Sequence, residues 1–244
     1  MSGHSKWANI KHRKSANDSK RGKLFGKLVK EITMAAKQGG AMPESNPRLR
    51  LAIQNAKSAN LPKDNIDRAI KRGNSREAAT YTEVTYEGHA THGVAVVVEC
   101  MTDSLNRTVA AVRAIFTKYG GSLGKSNALA FLFDKKGVFT VKKEAATDEE
   151  ALTLAMIEAG AEAIEPEAGY FRITCSLETF GRVQQGLEAM QIAIDDATLQ
   201  HIPNTSVTLN GDAAAKVTKL IDALEDHDDV QRVFHNMRLL QNSC

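Results

Sequence analysis

Charge divides this chain in two. Residues 1–76 hold 18 Lys+Arg against 5 Asp+Glu, a net +13, while residues 77–244 hold 14 against 24, a net −10. The whole-chain value of +3 conceals both halves. An asymmetry of this size points to an anionic partner for the first third. A phosphate backbone is the obvious polyanion.

The apolar pattern changes at the same place. In residues 23–38 the apolar positions are Leu24, Phe25, Leu28, Val29, Ile32, Ala35 and Ala36. That is helical spacing, and Gly39-Gly40 ends it. Asn46-Pro47 is an N-cap followed by a first-turn proline. A second helix follows through Leu49, Ala52, Ile53 and Ala56, and Leu61-Pro62 breaks it. Ile66, Ala69 and Ile70 mark a short third helix that stops at Gly73.

Beyond residue 76 the pattern predicts strands at 82–87 and 94–101, a helix at 105–119, and strands at 128–133 and 138–141 around Lys135-Lys136-Gly137. A helix at 149–159, strands at 163–165 and 170–175 and a helix at 180–190 come next. Strands at 192–197 and 206–209, a helix at 213–224 and a strand at 230–234 complete the reading. The middle elements match one β-α-β-β-α-β unit, and the flanking pieces supply a second with one extra strand. The expected fold class is α+β in three domains: an N-terminal three-helix domain plus two ferredoxin-like α/β domains, one inserted in the other. The expected boundaries are 1–76, 77–134 plus 203–244, and 135–202.

Composition removes several classes. Apolar residues make up 42% of the 244, enough for packed cores. No apolar run approaches the roughly 18–20 residues that cross a bilayer, and no secretory signal opens the chain. Neither a membrane nor export is expected. Cys100, Cys175 and Cys244 are far apart and form no C-x-x-C, which fits a reducing cytoplasm.

On the first helix, Lys23, Lys27 and Lys30 fall in one sector opposite Leu24, Leu28 and Ile32. Lys20 joins them if the helix starts early. The row is expected to face solvent and meet phosphates. Before it lies a polar arm, residues 1–22, carrying Lys6, Lys11, Arg13, Lys14 and Arg21. His4, Trp7, Asn9 and His12 are interleaved. Trp7 can stack on a base or anchor the arm on the helices, and Asn9 can pair with a base edge. Helices two and three resemble a helix-turn-helix only loosely, because Asp64 and Asp67 stand where a reader helix meets bases.

Other motifs are weak. Gly120-Gly121-Ser122-Leu123-Gly124-Lys125-Ser126 is one residue short of a phosphate loop, and it leaves a helix for a strand. His89 and His92 form too small a set for a metal. Asp103 with Asn106-Arg107-Thr108 opens the long helix, as a cap or as an anion-binding helix start. No nucleophile–base arrangement is visible. No catalytic residue, metal or cofactor is expected. Between Glu149 and Glu167 there are six Glu and no Lys or Arg, a surface suited to a protein partner rather than to phosphates.

Several segments together resemble the YebC family. They are Gly-His-Ser-Lys-Trp-Ala-Asn-Ile-Lys-His-Arg-Lys at 3–14, Lys-Arg-Gly-Lys at 20–23, Asn-Pro-Arg-Leu-Arg at 46–50, Ala-Ile-Lys-Arg-Gly at 69–73, Tyr-Glu-Gly at 86–88, Val-Glu-Cys-Met-Thr-Asp at 98–103, Asn-Arg-Thr at 106–108 and Leu-Ile-Asp-Ala-Leu-Glu-Asp at 220–226. The resemblance implies a helical domain and two α/β domains. It also implies a DNA-binding transcriptional regulator. Organellar members look like translational activators, so ribosomal RNA is the alternative target.

Overall fold

The computed structural model describes residues 18–75, 81–146 and 148–240, with the side chains of residues 18–20 outside that description. Three helices come first: α1 (Asp18–Gly39), α2 (Pro47–Ser58) and α3 (Lys63–Gly73). Their 3.6-residue periodicity puts Leu28, Ile32, Ala35, Leu49, Ala52, Ala56, Ile66 and Ala69 into one buried cluster. Asn46 sets the α1–α2 corner. Its Oδ1 accepts from Leu49 N at 3.0 Å as the N-cap. Its Nδ2 donates to Ala35 O and Gly40 O, both at 2.8 Å, which satisfies two carbonyls at the end of α1.

Gly73 lies where α3 crosses α1. A Cβ there would stand 2.3 Å from Thr33 O and 2.8 Å from the Ala36 Cβ. Backbone cannot yield as a side-chain tip can. Gly73→Ala is therefore expected to destabilise the protein by about 1–3 kcal/mol, read as a lowered thermal midpoint. An unchanged midpoint would mean that the two helices can part without loss.

The first sheet contains β1 (Thr82–His89), β2 (Ala95–Thr102), β3 (Ser122–Leu123) and β9 (Val230–His235), in the order β3-β1-β2-β9. Helices α4 (Leu105–Lys118) and α7 (Gly211–Glu225) cover one face, with Val112, Phe116, Val217 and Leu220 against Val96, Val98 and Cys100. Ala95, Val97, Leu129, Phe133 and Phe234 form a smaller cluster on the other face. Burial on both faces explains why β2 reads as a continuous apolar run. The spatial order is that of a ferredoxin-like sheet, but the chain visits it along a different path, β-β-α-β-α-β. The hairpin partner β1 fills the slot between the two strands of the β2–α4–β3 unit. The strand expected at 206–209 does not join this sheet: β8 (Val207–Leu209) pairs in parallel with β10 (Met237–Leu239).

The inserted unit runs β4 (Phe133–Lys142), α5 (Glu149–Ala159), β5 (Ala161–Glu167), β6 (Tyr170–Cys175), α6 (Phe180–Ala189), β7 (Ile194–Pro203). Its antiparallel order is β5-β6-β4-β7, the ferredoxin-like arrangement. The two strands expected at 128–133 and 138–141 are corrected to one. Residues Ala130–Leu132 form a 3₁₀ turn, and β4 continues through Lys135-Lys136-Gly137. The charges that resembled a turn are paired instead. Lys136 Nζ lies 2.9 Å from Glu162 Oε2 and Lys135 Nζ 4.0 Å from Glu99 Oε1.

The helical unit closes on both sheets. Asn55 Nδ2 donates to Ala197 O at 2.9 Å and Ala197 N donates to Asn55 Oδ1 at 3.2 Å. One side-chain amide thus occupies the open edge of β7, where another strand could otherwise add. Between the three units lies a cavity of about 670 Å³, lined among others by Arg48, Leu51, Glu99, Met101, Phe180 and Gln231.

Candidate nucleic-acid interface

The lysine row of α1 is engaged within the chain rather than free for phosphates. It lies against the C-terminal end of α7, which corrects the expectation from spacing. Lys23 Nζ donates to Asp226 O at 3.0 Å and lies 2.9 Å from Asp226 Oδ2. Lys27 Nζ donates to Glu225 O at 2.8 Å. Lys30 Nζ donates to Asp228 O at 2.9 Å and to Asp229 Oδ1 at 3.2 Å. A helix C-terminus offers unpaired carbonyls and the negative pole of its dipole, so a cation row suits it. Burial lowers the Lys27 ammonium to about pH 8, and Glu225 and Asp226 oppose that shift.

Asp229 gathers the two units at one carboxylate. Its Oδ2 accepts from Arg107 Nη2 at 2.8 Å, Thr108 Oγ1 at 2.9 Å and Thr102 Oγ1 at 3.4 Å. Its Oδ1 takes Lys30. Burial works to raise this acid, but the bonds from Arg107, Thr108 and Lys30 outweigh it and hold the acid at about 2. The start of α4 therefore does bind an anion, and the anion belongs to the chain itself. A second clamp is Arg48, which donates to Glu31 Oε1 from Nε at 3.1 Å and from Nη2 at 2.9 Å, and also reaches Glu83 on β1. A third joins the two sheets: Glu99 accepts from His201 Nε2 at 3.2 Å and faces Arg232 at 3.8 Å.

The other expected site residues are placed as follows. Arg21 is exposed, its guanidinium 5.2 Å from the Phe25 ring centroid. Lys20 is within α1, but its side chain lies outside the described residues. His4, Lys6, Trp7, Asn9, Lys11, His12, Arg13 and Lys14 also lie outside them. Sequence spacing undervalued α3. Arg68, Lys71 and Arg72 are exposed at i, i+3 and i+4, so they share one face. Arg68 leans back on Asp64 O at 3.1 Å. Lys71 and Arg72 make no ion pair among the described residues. The spacing of these cations was the available signal.

The glycine-rich loop has a packing role. Gly124 N donates to Glu87 O at 2.7 Å, and Gly121 sits where a Cβ would be 2.5 Å from His89 O. Its residues Ser122 and Leu123 extend the sheet beside β1.

Comparison with known proteins matches this organisation. A family model described as the TACO1/YebC protein N-terminal domain matches residues 5–76. One described as the TACO1/YebC second and third domain matches residues 81–237. The chain belongs to the TACO1/YebC family. A protein of Amoebophilus asiaticus (strain 5a2), named probable transcriptional regulatory protein, is 61% identical over 239 residues, covering 97% of this chain and 98% of that one. A protein of the same name from Persephonella marina is 50% identical over 244 residues, with 99% and 97% covered. The crystal structure of the conserved hypothetical protein Aq1575 from Aquifex aeolicus matches with a TM-score of 0.86 at 44% identity, covering 97% and 98%. In this TACO1/YebC chain the two family models meet where the charge changes sign.

Proposed function

We propose that this chain is a cytoplasmic regulator of gene expression that works by binding nucleic acid, with double-stranded DNA as its polymer and without catalysis. The observation that carries the reading is the positive charge left over once the units have closed on one another. Lys23, Lys27, Lys30 and Arg48 are spent inside the chain. Arg21, Arg68, Lys71 and Arg72 stay exposed, and the arm brings Lys6, Lys11, Arg13 and Lys14. The name of the relatives, probable transcriptional regulatory protein, supports the same reading. Cys100 and Cys175 are buried free thiols, which suits a reducing compartment. In this reading cations supply affinity, and Trp7, Asn9, His4 and His12 supply choice among bases.

Removal of residues 1–17 tests it. The four arm cations should each contribute about 0.9 to the slope of log affinity against log salt on duplex DNA. The truncated chain should therefore bind with a slope smaller by roughly 3–4. Trp7 is the only tryptophan, so its fluorescence reports arm contact alone. An unchanged slope together with unquenched Trp7 fluorescence would discard the arm as the binding element. Co-sedimentation with ribosomes, without retention on promoter fragments, would transfer the polymer from DNA to ribosomal RNA.

A further inference from the structure

Helix α5 is apolar on both sides. Leu152 and Met156 are fully buried against the inserted sheet. On the outer side Leu154 is 62% and Ile157 59% exposed. A surface helix normally confines its apolar residues to one stripe, so a second apolar stripe marks a second partner. Leu154 and Ile157 are one turn apart and adjacent. Glu150 and Glu158 stand one turn before and after Leu154, and Glu149 adjoins them.

The surroundings decide the sign of that partner. Between Lys143 and Arg172 the chain has eight Asp+Glu and no Lys or Arg. Cations that approach from neighbouring strands are committed elsewhere: Lys136 to Glu162, Arg172 to Glu165, Lys142 to Glu144. Arg182 lies beside Gly160, past the end of α5. Glu149, Glu150 and Glu158 form no ion pair among the described residues. Such a face repels phosphates, whether of nucleic acid or of an anionic bilayer. The adjoining sheet edge, β5, carries Glu162, Glu165 and Pro166, which oppose strand addition.

We propose that the outer face of α5 docks a basic amphipathic helix of a partner protein. Its apolar residues sit on Leu154 and Ile157, and its Lys or Arg residues meet Glu150 and Glu158. A partner helix would seat anchors at i, i+3, i+4 and i+7, and Leu154 and Ile157 offer one i, i+3 step for them to meet. The surface is separate from the basic third of the chain, so this inference stands without the nucleic-acid reading.

The test uses the full chain and a fluorescent peptide of about 15 residues with Leu at i, i+3, i+4 and i+7 and Lys elsewhere. A scrambled peptide of the same composition is the control. The patterned peptide should bind about tenfold or more tightly than the scramble. Leu154→Ser with Ile157→Ser should remove about tenfold of that affinity. Glu150→Gln with Glu158→Gln should weaken binding and flatten its salt dependence. All four side chains are exposed, so the variants should melt like the parent. Equal binding of both peptides, or undiminished binding by the Ser pair, overturns the proposal. A concentration-dependent dimer of the chain alone, abolished by the Ser pair, overturns it in favour of a second copy as occupant.

Discussion

Asp229→Asn is expected to lower the thermal midpoint by roughly 5–10 °C at pH 7. The variant keeps the size of the side chain but removes the charge that four donors share. The carboxyl titrates at about 2 in the folded protein and at an ordinary 3.8 when unfolded. At about 1.4 kcal/mol per unit, that difference is worth about 2–3 kcal/mol. The folded-state value is the lower one, so this stabilisation is complete above about pH 4 and is lost as pH falls from there toward 2. Parent and variant should accordingly converge in a series of melts below pH 4. Equal midpoints at pH 7 would show that the carboxylate is solvated and its partners dispensable.

Replacing Lys23, Lys27 and Lys30 together by Gln should cost a similar amount, about 3 kcal/mol. Most of that comes from Lys30, whose partner Asp229 is buried. The Lys23–Asp226 pair is largely exposed and contributes less than about 1 kcal/mol. Lys27 adds a pH signature of its own. It releases its proton at about 8 when folded and at 10.5 when unfolded, so the fold disfavours its charged form relative to the unfolded chain. Between those values unfolding takes up a proton, and this group's contribution to stability rises with pH. The triple variant should lack that rise. Amide exchange in the last turn of α7 should quicken, because its carbonyls lose their donors. The salt slope of nucleic-acid binding should stay as in the parent. A slope smaller by roughly 2–3 would return the row to phosphate contact and contradict the docking.

Most elements of the fold are legible in the sequence, since periodicity and punctuation are local. Asn46-Pro47 marks the start of α2, and Gly160 with φ +96 closes α5 where the pattern stops. Strands β3 and β10 span two and three residues, too few to show a period. Residues 133–142 resemble two strands around a turn because Asp134-Lys135-Lys136-Gly137 is polar, and only the unbroken pairing of residues 133–140 with β7 reveals why it stays extended. The candidate site is less legible. An ammonium row at helical spacing suits phosphate oxygens and helix-terminal carbonyl oxygens equally. Nothing near α1 in sequence shows which it meets, because the answer lies at residues 225–229.

That distance along the chain also orders events in time. Lys23 and the Asp226 carbonyl are 203 positions apart, and Lys27 and the Glu225 carbonyl 198. At roughly 5–20 residues per second of synthesis, the row emerges about 10–40 s before the turn that neutralises it. Strand β9, which completes the first sheet beside β2, arrives equally late, after the whole inserted unit. Through that interval the nascent protein exposes an uncompensated cationic helix to whatever polyanion is nearest. Residues 225–229 therefore decide when the lysine row of the helical third is neutralised.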